Sequence, residues 1–164
     1  MTGQTERTAG QRIRALRTVG FELRMMGHAS GLLRQAQLAD EDPMAQNAFL
    51  ESALLHARTL TAFFIKKRSH ASDIHRTDFA PEWSLEPADA VKRLDDRYLL
   101  LHKYLAHLTW ERVSKDAPIW NYPNIASDIL NVAEAWASHL ELADKSMGDG
   151  FRPHVLLARQ ALDA

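Results

Sequence analysis

Apolar residues recur every three to four positions along nearly the whole chain, and nowhere do they alternate long enough to make a strand. Helices are therefore the expected building material. Ile13, Leu16, Val19, Leu23, Met26 and Leu33 trace a first helix over most of residues 6 to 39. Phe49, Ala53, His56, Leu60 and Phe63 trace a second, from about Pro43 to Lys67, with Asp42 placed to cap it and Pro43 suited to its first position. A third runs from about Ala88 to Lys115, and a fourth carries Ile125, Ile129, Val132, Trp136 and Leu140 on one face. Met147-Gly-Asp-Gly150 reads as a turn before a short C-terminal helix, about Pro153 to Leu162. The expected fold class is all-α: a bundle of four main helices plus a short C-terminal helix, forming one domain over residues 1–164.

Two features modulate this bundle. Gly20, Gly27 and Gly31 each weaken the first helix by roughly 1 kcal/mol relative to Ala, and their simplest use is close helix packing. Between the second and third helices lies a long polar loop at about 66–87, where Pro81 and Pro87 oppose a continuous helix. Phe79 and Trp83 within it favour a connection pinned to the core over a free linker.

Composition removes several function classes. The chain has no cysteine, so disulfides, thiolate catalysis and zinc–cysteine sites are excluded. A formal charge of −1 is unlike a protein that holds nucleic acid by bulk electrostatics, so any RNA contact needs a local patch. The polar, basic start MTGQTERTAGQRIRALR has no apolar signal core, and no run approaches the roughly 20 apolar residues that span a bilayer. A cytoplasmic protein is expected, with no membrane partner. Neither G-x-S-x-G, nor H-E-x-x-H, nor a glycine-rich phosphate loop is present, and no cofactor is expected.

The stretch with most chemistry is RYLLLHKYLAHLTWER, Arg97 to Arg112. At 100° per residue, Leu94, Tyr98, Leu101, Leu105 and Leu108 form the core stripe of the third helix, and Arg93, Arg97, Leu100, Tyr104 and His107 share a flank. His102 lies on the opposite flank, about 140° from His107, so the two histidines do not present one metal-binding face. An arginine that steadies phosphoryl oxygens and a histidine that moves protons can together cleave RNA without a metal. Arg97 with His102 and Arg97 with His107 are both possible pairs; the alternative is two flank histidines hydrogen-bonded within the bundle.

Arg97-Tyr-Leu-Leu-Leu-His102 resembles the R-x4–6-H motif of HEPN-domain ribonucleases. NAFLESALLHARTLTAFF (Asn47 to Phe64), DFAPEW (Asp78 to Trp83) and HKYLAHLTWER (His102 to Arg112) resemble uncharacterised bacterial HEPN-like proteins, over roughly residues 45 to 140. The resemblance implies an all-α HEPN-like fold, a homodimer and a metal-independent endoribonuclease in a toxin–antitoxin or phage-defence setting. An RNA substrate and an antitoxin or other protein partner are implied with it. It implies catalytic roles for Arg97, His102 and His107, and RNA-binding roles for Arg93, Lys103 and Tyr104. Ala106-His107 looks like the ending of the family motif, yet the positions five to seven residues before His107 hold His102, Leu101 and Leu100, none of them arginine. A non-catalytic HEPN-like dimer with a binding or regulatory role is the alternative.

Other residues have plainer readings. His70, Asp73, His75 and Asp78 crowd the long loop without a recognisable metal spacing. Lys66-Lys67-Arg68 ends the second helix, where cations suit the dipole and phosphates can be met. His56 falls on an apolar stripe as a satisfied core histidine, Arg58 is placed to find a carboxylate in the bundle, and Arg14, Arg17 and Arg24 make a solvated face. Trp110, Trp120 and Trp136 read as core or interface anchors.

Overall fold

The computed structural model describes residues 7–106 and 119–164; of Tyr104 and Ala106 only the backbone is described. Among these residues there are five α-helices and no strand: α1 (Ala9–Leu38), α2 (Pro43–Phe64), α3 (Ala88–Ala106), α4 (Tyr122–Ala143) and α5 (Lys145–Asp163). Each start except that of α3 shows a side-chain cap. At α1, Thr8 Oγ1 accepts from the Gln11 N–H at 3.2 Å while Gln11 Oε1 accepts from the Thr8 N–H at 2.9 Å. Asp42 accepts from Met44 N–H with Pro43 in the first turn, as its sequence position requires. Asn121 caps α4 and Asp144 caps α5.

Helix α1 packs most extensively on α2 and α5, α4 packs on α5, and α3 leans on α2 and α4. Leu23, Leu54, Leu94, Ile129 and Phe151, one from each helix, are all buried in one apolar cluster. At its centre Trp136 is fully buried, with the rings of Phe63, Phe64, Phe79 and Phe151 edge-on at 5.3, 5.6, 5.9 and 5.0 Å. Trp120 is partly buried against the same cluster, whereas Trp110 lies outside the described residues. Ile13, counted into the α1 stripe by spacing, stays 45% exposed.

The glycines of α1 serve close packing. A Cβ on Gly20 would overlap the His154 ring, and one on Gly27 or Gly31 would overlap the backbone of Ala158 or Ala161 in α5. The expected Met147–Gly150 turn and short last helix are corrected: these residues belong to α5, which starts at Lys145 and is 19 residues long. Two facts explain it. Asp144 supplies the cap, and Gly148 lets the first turn of α5 fold tightly on α4, because any Cβ there would strike Glu141. Pro153 sits inside the helix rather than opening it.

The connection from 65 to 87 is irregular apart from one 3₁₀ turn, Arg76–Asp78. Phe79 and Trp83 are 4% and 7% exposed, so aromatic anchors pin it to the core. Among the described residues, no helix is long and apolar enough to cross a membrane.

Candidate functional site on helix α3

Helix α3 buries Ala90, Leu94 and Leu101, with Leu105 partly covered. Its two flanks then lead to different neighbours. On one, Arg93 and Arg97 stand one turn apart and so reach the same point on α4. That point is Asp128, only 4% exposed. Arg93 grips its carboxylate with two nitrogens, Nη2 to Oδ1 at 2.6 Å and Nε to Oδ2 at 3.0 Å, and Arg97 Nη1 adds a longer contact of 3.5 Å to Oδ2. The hydrogen bonds to Asp128 raise the pKa of Arg93 above its ordinary value, against an opposing effect of desolvation. A carboxylate this deep has lost most of its water, and the two guanidinium groups supply hydrogen bonds in its place. A phosphate arriving at Arg97 therefore meets a guanidinium already shared with a carboxylate. Asp128 was not singled out in the sequence, although a lone acid inside the apolar run Ile125 to Val132 was a visible signal.

The opposite flank carries His102, exposed, beside Tyr98 with ring centres 6.4 Å apart. Lys66, just beyond the end of α2, places its ammonium 4.7 Å from the centre of the Tyr98 ring and 2.7 Å from Asp95 Oδ1. Lys103 is exposed next to His102. Arg97 is thus turned toward Asp128, and His102 lies beside Tyr98. Tyr104 is placed on α3 by its backbone, and His107 lies outside the described residues.

The loop histidines and acids have structural employment. Asp73 accepts from the His70 N–H at 2.8 Å; Asp78 accepts from the His75 N–H at 2.9 Å and pairs with Arg68. Among the described residues no group of three or more histidines and acids could hold a metal ion. His75 is 5% exposed. Its Nδ1 lies 3.3 Å from the Thr77 N–H, and its Nε2 lies 2.8 Å from the Lys66 carbonyl and 3.0 Å from Arg76 Nη1. Burial first, and the charges of Arg76 and Arg68 second, lower its pKa, partly offset by the Lys66 hydrogen bond. His75 is a neutral clamp that ties the loop to the end of α2. His56 is likewise satisfied, with Nδ1 2.7 Å from Glu22 Oε2. The carboxylate expected beside Arg58 is not found among the described residues.

No protein-family model matches this chain, and no curated protein or solved structure matches it either. The class established is therefore architectural, an all-α bundle.

Proposed function

We propose that this chain is a HEPN-like, homodimeric, metal-independent endoribonuclease of the cytoplasm, working in a toxin–antitoxin or phage-defence setting. The observation that carries the reading is the exposed His102 beside Tyr98, whose ring carries the ammonium of Lys66 just beyond α2. The resemblance of the α2 and α3 sequences to HEPN-like chains supports it. In this reading a histidine, His102 or His107, accepts the proton of a ribose 2′-hydroxyl as that oxygen attacks the adjacent phosphorus. The bond from phosphorus to the 5′-oxygen breaks, and a proton is delivered to the departing oxygen. The products are a 2′,3′-cyclic phosphate and a 5′-hydroxyl. Lys103 and Lys66 meet the phosphate charge, Tyr98 offers its ring to an unpaired base, and the resemblance gives Tyr104 an RNA-binding role as well. Arg97 and Arg93, held by Asp128 on the other flank of α3, belong to this reading through the resemblance, which gives Arg97 a catalytic role and Arg93 an RNA-binding one.

The same clamp favours a second reading. Arg93 and Arg97 spend their hydrogen bonds on Asp128, as they would in a non-catalytic dimer whose α3 cations serve structure. Purified chain should be incubated with total RNA and tRNA in EDTA, beside His102→Ala, His107→Ala and Arg97→Ala. Cleavage lost in one histidine variant establishes the ribonuclease and selects the histidine. A folded dimer that never cleaves returns the binding reading.

A further inference from the structure

A cavity of about 480 Å³ opens between α1, the last two turns of α2 and the segment 66–75, with Tyr98 of α3 at its edge. Its size is that of a small-molecule site. Four cations line it, Arg58, Lys66, Lys67 and Arg68, against two carboxylates, Glu22 and Asp73. The partners of these groups differ in a way that matters. Lys66 is held by Asp95, Arg68 by Asp78, Glu22 by His56, and Asp73 caps the His70 N–H. His75, in the wall, is committed to the Lys66 carbonyl. Arg58 and Lys67 are left: among the described residues neither side chain has a hydrogen bond or ion pair. Arg58 is also half-buried. The hydroxyls of Ser69 and Ser72 on the same rim have no partner among the described residues either. Thr18 and Thr59 already donate to helix carbonyls of Arg14 and Leu55. Val19, Phe63 and Ile74 add apolar surface to the same lining.

We propose that this cleft is a phosphate-binding site for a nucleotide. The guanidinium of Arg58 grips the phosphate by two N–H donors, Lys67 adds the second positive charge, Ser69 and Ser72 donate to the remaining oxygens, and the apolar surface receives the base or sugar. The nucleotide is either a free mononucleotide or one unit of an RNA strand; the phosphate chemistry is the same. The site stands whether or not the chain cleaves RNA.

Calorimetry on the full chain tests this with three probes: adenosine 5′-monophosphate, adenosine, and a short 2′-O-methyl oligoribonucleotide that cannot be cleaved through the 2′-oxygen. Saturable binding of the monophosphate but not of adenosine is expected, weakening as salt is raised. Arg58→Gln and Lys67→Gln should each weaken it roughly ten-fold or more, the loss expected for a charge-assisted hydrogen bond, and Arg58→Lys should recover part of it. Lys67 is exposed, so its variant keeps the test valid if Arg58→Gln fails to fold. Binding of the oligonucleotide alone, sensitive to the same variants, assigns the site to an RNA strand. No saturation by either phosphorylated probe at millimolar concentration, or native affinity in Lys67→Gln together with folded Arg58→Gln, overturns the proposal. None of these readouts involves cleavage, so an inactive enzyme would leave the site standing, and an empty cleft would leave the ribonuclease reading standing.

Discussion

Phe79→Ala is the substitution that should most clearly separate a pinned loop from a draped one. The Phe79 ring is 4% exposed, lies 6.2 Å from the Phe63 ring and 5.9 Å from that of Trp136, and has Arg12 of α1 5.9 Å from its centre. Truncating a buried phenylalanine costs about 3–5 kcal/mol, and a site under a surface segment, which can partly collapse, belongs near about 3 kcal/mol. With a urea slope of roughly 2 kcal/mol/M, that lowers the unfolding midpoint by about 1.5 M. Phe79→Leu keeps most of the volume and should lose about 1 kcal/mol, or about 0.5 M. Urea titrations followed by tryptophan fluorescence supply the midpoints, and limited proteolysis should show faster cutting within residues 66–87 of the Ala variant. A midpoint for Phe79→Ala no lower than that for Phe79→Leu, with unchanged proteolysis, would refute the anchoring argument. The stakes are functional, because residues 66–75 of the same segment wall the phosphate cleft.

Three further outcomes follow from the packing. Asp128→Ala should lower the thermal midpoint, and combining it with Arg93→Ala should lower it by less than the sum of the two, since each single change strands the partner's charge; strict additivity in that cycle would sink the clamp. Gly27→Ala should destabilise by about 1–3 kcal/mol, because the new methyl meets the Ala158 backbone, whereas Gly150→Ala, in open space within α5, should stabilise by up to about 1 kcal/mol. Calorimetric midpoints of equal sign for both would contradict the packing of α1 on α5. His154 has its pKa lowered by burial first and by Arg24 and Arg17 second, and its Nδ1 is buried without a partner. The unfolded chain therefore binds the extra proton more readily. The stability tied to this group is full above about pH 6.5 and is lost as pH falls toward the lower folded value. Urea midpoints at pH 7 and pH 5 should fall less steeply in His154→Leu, and an unchanged slope would remove His154 from the account.

The helices and their starts were legible because their causes are local. Apolar spacing and the Asp42-Pro43 pair each act within a few residues, and α1, α2 and the long connection lie close to where the sequence placed them. The last helix was misjudged because Gly148 looks like a turn residue until Glu141 is seen packed against it. The candidate site divides in the same way. The wheel foresaw that Arg97 and His102 would leave α3 in different directions. It did not foresee what they would meet.

By itself, then, the sequence determined an all-helical chain, a loop anchored by aromatic residues, and a helix with arginines on one flank and His102 on the other. Only the tertiary structure decided that Arg93 and Arg97 close on Asp128, that His75 clamps the end of α2, and that Arg58 and Lys67 face a cleft with no carboxylate on them. The physical reason is range. Helix period and capping are set by neighbours in the chain. The partner of a charge is whichever group the packing of distant helices leaves within hydrogen-bond reach, and Asp128 stands 35 residues from the arginine it holds.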